Sequence, residues 1–357
     1  MKRTLFEPAR LGAMTLNNRL IRAAVWENMA APGGYPTEKM TAFYRELASG
    51  GAGLIITGYI AVKKEGRMDG GLCGIYDDSF IPEYRRLTDA VHAAGGRIAA
   101  QLVYRGSLGG NAEDTPWGMS AVTHRTTGLT PREMTRGEII SLEAMFADGA
   151  RRARAAGFDA VELHAAHGYF LSQSLSPYYN RRCDEYGGSV ENRARLLLEV
   201  YDRTRAAVGA DFPVLVKINC SDFAEGEAAF AECEYACREL SRRGVDGIEI
   251  SGGDRVWATN NKTESLYAGY AAKIAEAVGA PVILVGNNRD PAAMERLLNE
   301  TKISFFSMAR PFLREPDIAA RWQGGDLSPS RCVACGKCYS PQGVICVFRR
   351  GRNTDEN

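Results

Sequence analysis

The sequence predicts an α/β fold, a TIM (β/α)8 barrel with a short C-terminal cysteine-rich tail, and three observations predict it. Apolar runs of strand length recur eight times along the chain. Amphipathic helical stretches alternate with them, which is the pattern of a parallel barrel. No Gly-rich turn follows the first run, where AAVWENM stands instead; a doubly wound sheet would usually announce itself there. At 357 residues the chain suits one large barrel or two smaller units. The alternation assigns residues 1–323 to the barrel and 324–357 to the tail.

The runs are RLIRAAV (19–25), GLIITGYI (53–60), RIAAQLV (97–103), AVELH (160–164), PVLVKIN (213–219), GIEISGG (247–253), PVILVG (281–286) and ISFFSMA (303–309). They are short and almost continuously apolar, as strands buried on both faces should be. Between the first two, TEKMTAFYRELASGG begins at Thr37, a side-chain cap for the first turn, and stops at glycines. SFIPEYRRLTDAVHAAGG, RGEIISLEAMFADGARRARAAG, VENRARLLLEVYDRTRAAVG, AAFAECEYACRELSRRG, ESLYAGYAAKIAEAVG and DPAAMERLLNE follow. Several end in glycine, the usual helix stop. Residues 104–135 break the repeat as a long Gly/Pro/Thr-rich excursion, and long loops on that face of a barrel serve as lids or substrate loops.

A net charge of +1 gives no reason to expect nucleic acid or an anionic membrane as partner. No apolar run reaches the roughly 20 residues of a membrane helix. MKRTLFEPARLGAM has no apolar signal core, so a cytoplasmic location is expected. The oligomeric state, a homo-oligomer included, stays open. Of nine cysteines, Cys73, Cys183, Cys220, Cys233 and Cys237 are scattered and read as small packing residues. Cys332, Cys335, Cys338 and Cys346 crowd the tail, which in a reducing compartment points to metal rather than disulfides.

Barrel chemistry sits at the C-terminal ends of strands, and those ends carry unusual residues here. They are Thr57-Gly58, Gln101, His164, Lys217, Ser251-Gly252-Gly253, Gly286-Asn287 and Ala309-Arg310. Small residues at 286 and 309 would let backbone N–H groups approach an anion that Arg310 neutralises, at the usual phosphate site of this fold. Turn glycine plus a surface arginine is the plainer alternative. His164 and His167 form an H-x-x-H pair beside Tyr169; zinc ligation and core packing are the other readings of such a pair.

From LFEPARLGAMTLNNRLIRAA to ARPFLREPDIAARW the chain resembles the Old Yellow Enzyme family of FMN-dependent oxidoreductases. It is most similar to the branch of 2,4-dienoyl-CoA reductase and trimethylamine dehydrogenase. GFDAVELHAAHGYFLSQSLSPYYNRRCDEYGGSVENRARLLLEV is the most specific stretch. The resemblance implies FMN across the C-terminal mouth, bordered by Ala24, Val25 and Gly58. Gln101 would bond its pyrimidine part, and Lys217 would place a positive charge near its N1. Gly286, Asn287, Ala309 and Arg310 would hold its phosphate. His164 and His167 would bind the carbonyl oxygen of a conjugated substrate and stabilise the developing enolate. Tyr169 would protonate the α-carbon, a role that suits a phenol of ordinary pKa about 10. Trp26 departs from the common Thr or Cys, Tyr104 from a common His and Ala309 from a common Gly. Arg105 joins Tyr104 at the substrate end, Tyr59 and Trp257 are further candidates for the cavity wall, and His124 in the long loop is a candidate to reach substrate. His92 is expected on a helix surface.

The tail spacing C-x2-C-x2-C-x7-C suits an iron–sulfur cluster or zinc. The related branch holds a 4Fe–4S centre with a longer last gap, and a metal-free remnant is the third reading. Larger relatives continue into an FAD- and nucleotide-binding region, and this sequence has no G-x-G-x-x-G after a strand. NADH or NADPH is therefore expected to dock over FMN in the substrate's own site, giving ping-pong kinetics; with a cluster, an electron-transfer protein could serve instead. The expected activity is reduction of the C=C bond of α,β-unsaturated carbonyl compounds. An FMN/iron–sulfur amine dehydrogenase or demethylase is the runner-up, for which Trp26, Tyr59 and Trp257 would form a cation-binding bowl. A zinc-stabilised scaffold or electron carrier is the third reading.

Overall fold

The computed structural model describes residues 2–64, 71–109, 115–253, 261–340 and 343–349; Trp257 lies outside them. Eight parallel strands form the ring: β1 (Leu20–Arg22), β2 (Leu54–Ala61), β3 (Ile98–Val103), β4 (Ala160–Ala165), β5 (Val214–Asn219), β6 (Gly247–Ser251), β7 (Val282–Val285) and β8 (Ile303–Met308). Each pairs with the next, and β8 closes on β1 with Phe306 opposite Leu20 and Met308 opposite Arg22. The barrel is the one the alternation predicts.

Strand bounds differ from the apolar runs where the chain serves the cavity instead of the ladder. The first run ends as strand at Arg22, because Ala23 to Trp26 leave the sheet to line the cavity. The second continues to Ala61, with a register shift between Ile56 and Tyr59.

Outside the ring lie α1 (Glu38–Ser49), α2 (Phe80–Ala93), α3 (Arg136–Ala155), α4 (Val190–Val208), α5 (Phe230–Arg242), α6 (Ala268–Ala277) and α7 (Pro291–Glu300), with Ile318–Gln323 after β8. Thr37 caps α1, accepting from Met40 N at 3.3 Å. Thr135 and Glu138 form a reciprocal capping box on α3. His92, on α2, is half-buried and 2.9 Å from Asp159.

The interior of the ring is apolar at its N-terminal half, where Ile56, Leu215, Ile283 and Phe305 pack with Leu11 and Leu16. The last two belong to a hairpin, Ala9–Leu11 with Met14–Leu16. Its turn glycine, Gly12 (φ +60), lies so close to Asp246 that a Cβ would come within 2.2 Å of the carboxylate. The hairpin thus stoppers the N-terminal end, and ligands have the C-terminal end. There the tail crosses from the loop after β7 to the segment after β1. Ser330 N donates to Arg289 O at 2.8 Å, and Val344 N to Glu27 O at 2.8 Å. Cys338 and Val344 pack on Leu313.

Candidate active site

A cavity of about 490 Å3 occupies the C-terminal end of the barrel, within the range of small-ligand sites. Ala24, Val25, Gln101, His164, His167, Tyr169, Lys217, Gly286, Asn287, Ala309 and Arg310 all line it. Gly58 is not among the lining residues. It lies within β2, and a Cβ there would sit 2.1 Å from Glu27 Oε2. Its N–H donates to Glu27 Oε1 at 2.7 Å. Glycine is needed at 58 to admit a buried carboxylate.

One end of the cavity is built for an anion. Gly286 (φ +117) abuts the Tyr267 ring so closely that a Cβ would lie 2.7 Å from it. Asn287 Oδ1 accepts from Arg310 Nη2. Asn288 ties β7 to β8, donating to Leu284 O at 2.8 Å and Ser307 O at 3.0 Å. Arg310 Nη1 is buried without a hydrogen-bond partner. A desolvated cationic donor is costly, and a bound phosphate relieves it. The residues present therefore fit the phosphate end of FMN.

At the centre, Gln101 Nε2 donates to Glu162 Oε1 at 2.6 Å, and Lys217 Nζ pairs with Glu249 Oε2 at 3.1 Å. Beside them stand the two histidines. Their rings are 5.3 Å apart and nearly perpendicular, and His164 is 4.8 Å from the Tyr169 ring. His167 adopts φ +59 and Gly168 φ +75, a sharp turn that carries Tyr169 back over the strand ends. Asn219 Oδ1 accepts from His167 N at 3.1 Å, and Ser251 Oγ lies 2.7 Å from His167 Nε2. Burial, then His167 and Lys217, hold the His164 pKa well below the usual histidine value, so His164 is a neutral imidazole.

Aromatic rings wall the cavity. Tyr59 lies 5.1 Å from Tyr169 and 6.2 Å from Trp26. The long loop folds over the mouth: His124 lines the cavity and stacks on Tyr179 at 5.2 Å. Arg105 also lines it. Tyr104 packs instead on Phe170, at 5.1 Å, and accepts from Trp117 N at 2.8 Å.

Asn219, Glu162 and Glu249 add to the residues that the sequence marks, while Ser251 is already marked there as a strand end. A charge inside an apolar strand run, as in AVELH and GIEIS, is the signal that marks the two glutamates.

Cys332 and Cys338 line the same cavity. All four tail thiols are free; Cys335 is exposed, while Cys338 and Cys346 are buried. Burial, then Cys332, Cys346 and Cys335, pushes the Cys338 thiol up to about 11. Among the described residues, however, no three Cys, His, Asp or Glu side chains converge into a metal-holding group. Of the scattered cysteines, four are buried as packing residues should be; Cys183 is exposed because its loop segment faces solvent.

Residues 4–326 match the sequence profile of the NADH:flavin oxidoreductase / NADH oxidase family. The chain belongs to this family. Among its members, the metal reductase of Desulforamulus reducens is 37% identical, over 93% of this chain and 51% of that protein. The NADPH dehydrogenase of Bacillus subtilis is 33% identical, over 89% of this chain and 94% of that one. The solved structure of 2-naphthoyl-CoA reductase with 2-naphthoyl-CoA superposes with a TM-score of 0.88 at 25% identity, covering 95% of this chain and 55% of that chain. The chain thus spans about half the length of the metal reductase and of the naphthoyl-CoA reductase. Within this NADH:flavin oxidoreductase family, the cavity residues of the chain fit FMN. No helix among the described residues is long and apolar enough to cross a membrane.

Proposed function

We propose that this flavin oxidoreductase is an ene-reductase, using NADH or NADPH to reduce the C=C bond of α,β-unsaturated carbonyl compounds. The observation that carries the proposal is the cluster of His164, His167 and Tyr169 in one cavity with Gln101 and Lys217. Bound FMN would take hydride from the nicotinamide and deliver it to the β-carbon. Arg310, Asn287, Ala309 and the backbone at Gly286 would hold its phosphate, Ala24 and Val25 would border it, and Gln101 and Lys217 would bind the opposite end. His164 and His167 bind the substrate's carbonyl oxygen. A neutral imidazole N–H donates to that oxygen and stabilises the charge that develops there, an oxyanion role that favours the transition state over the bound substrate. Tyr169 delivers the proton to the α-carbon. The likeness to an NADPH dehydrogenase of nearly equal length supports a nicotinamide donor docking in the substrate's own space.

The test separates the half-reactions. Loss of the phenol in Tyr169→Phe should slow reoxidation of the reduced protein by 2-cyclohexenone about 100-fold or more, the contribution of a positioned acid, while reduction by NADPH keeps its rate. If that variant and the double His164→Ala/His167→Ala variant both retain full enone turnover, the mechanism is wrong.

A second reading has an observation of its own: Cys332 and Cys338 share the cavity with Arg310. In this reading Cys332, Cys335, Cys338 and Cys346 would close around a 4Fe–4S cluster, which would serve an amine dehydrogenase or demethylase that reduces a partner protein. Iron and sulfide assays on anaerobically purified protein decide it. Iron and sulfide in cluster proportion favour it; flavin bands alone leave the NAD(P)H-driven ene-reductase.

A further inference from the structure

Beneath the cavity the barrel interior holds charge that the proposed chemistry does not use. Glu162 on β4 and Glu249 on β6 are fully buried, at 0% exposure. Register places Glu162 beside Gln101 and Glu249 beside Lys217. Gln101 Nε2 donates to Glu162 Oε1 at 2.6 Å, and Lys217 Nζ lies 3.1 Å from Glu249 Oε2. Glu162 Oε2 and Glu249 Oε1 are both buried without a hydrogen-bond partner among the described residues. Gln101, Glu162, Glu249 and Lys217 thus form one line across the barrel, whose two ends line the cavity while its middle does not.

Charge limits how this line is protonated. Two carboxylates in a dry interior with one ammonium leave a surplus negative charge that low dielectric makes expensive. One proton on Glu162 removes the surplus and satisfies every link. Glu162 Oε1 then accepts from Gln101, its Oε2–H donates to Glu249, and Glu249 stays anionic against Lys217. We propose that Glu162 and Glu249 share one proton and act as a positioning pair, fixing the Gln101 amide with its carbonyl toward the cavity and keeping Lys217 charged. The role rests on reading the cavity as the FMN site; the shared proton does not. Burial, then Glu249, pushes the Glu162 carboxyl well above the usual carboxylate range, with Lys217 opposing. The charged or titratable groups facing the pair are Lys217 from β5 and, beyond it, His164 at the end of β4. Inward neighbours from β2, β7 and β8, namely Ile56, Ile283 and Phe305, are apolar.

Three measurements on the 357-residue chain test this. First, infrared difference spectra with and without 13C-glutamate, on protein stripped of FMN at pH 7, should show a protonated carboxyl band that Glu162→Gln abolishes. Absence of that band from the wild type overturns the shared proton, whether or not any variant folds and whatever the substrate is. Second, the reduction potential of bound FMN is followed with pH. Glu162→Gln mimics the protonated acid but cannot ionise. Its potential should match the wild type at pH 7 and lie above it at higher pH, where ionised Glu162 adds negative charge beneath the flavin. A gap already present at pH 7 overturns the proposal. FMN affinity should fall roughly tenfold in Glu162→Ala, which cuts the line; unchanged affinity overturns the positioning role and leaves the ene-reductase reading standing.

Discussion

His167 Nε2 lies 2.7 Å from Ser251 Oγ, so an imidazole at the end of β4 is held by a hydroxyl at the end of β6. The turn that carries His167 has a positive φ, and Asn219 on β5 holds its backbone N–H. Three adjacent strands therefore fix one ring. Ser251→Ala removes a hydrogen bond worth about 1 kcal/mol. The expected result is a roughly fivefold loss in kcat/KM for 2-cyclohexenone, with FMN affinity unchanged. Steady-state kinetics beside an FMN titration check it.

Arg310 Nη1 has no acceptor among the described residues, and Asn287 orients the other guanidinium nitrogen. Arg310→Met should weaken FMN binding about 10- to 100-fold, the worth of a charge-assisted hydrogen bond. Riboflavin, which has no phosphate, should bind the variant as well as the parent. Fluorescence titrations of stripped protein with both compounds separate these outcomes; equal losses for the two would remove Arg310 from the phosphate site.

Much of this arrangement is legible in the sequence, and the reason is topological. In a parallel barrel every strand delivers its last residues to one mouth, so Gln101, His164, Lys217 and Arg310 meet there once eight strands are recognised. What the sequence does not reveal depends on neighbours distant along the chain. Gly58 reads as flavin-bordering backbone, yet its small size admits Glu27, which enters from the segment after β1. Tyr104 follows a cavity residue by three positions but turns to Trp117, because the long loop returns over it. The tail reads as a separate appendage, and its hydrogen bonds to Glu27 and Arg289 are invisible in its own spacing.

The Glu27 carboxylate is shared by Gly58 N–H, the Tyr44 phenol and, at 3.2 Å, Arg22 Nη2. Burial, then Glu27, pushes the Tyr44 pKa well above its ordinary value, so the phenol is a permanent donor. Gly58→Ala places a methyl group against Glu27 Oε2 and Val25 O. The expected cost is about 3 kcal/mol or more, from overpacking together with a displaced buried carboxylate. Tyr44→Phe, which removes only one donor, should cost about 1.5–3 kcal/mol. Urea unfolding of both variants tests the order, and a Gly58→Ala protein as stable as the parent would contradict the close fit.

A second carboxyl pair, one member buried and one half-buried, lies between α3 and α4. Glu143 on α3 is 1% exposed and pairs with Arg203 Nε at 2.7 Å. Glu199 on α4 accepts from the Tyr186 phenol at 2.9 Å. Burial, then Glu199, raises the Glu143 pKa to about 7. The folded state therefore binds more protons than the unfolded chain between the ordinary glutamate pKa, about 4.3, and 7. Stability from this pair is full below that window and is lost as pH rises through it, on the order of 2 kcal/mol. Glu143→Gln cannot ionise and still accepts from Arg203. Its melting temperature relative to the parent should rise by several degrees between pH 5 and pH 8 and level off above. A difference that stays flat across this range, or changes in the opposite direction, would show that the α3–α4 interface carries no shared proton at neutral pH.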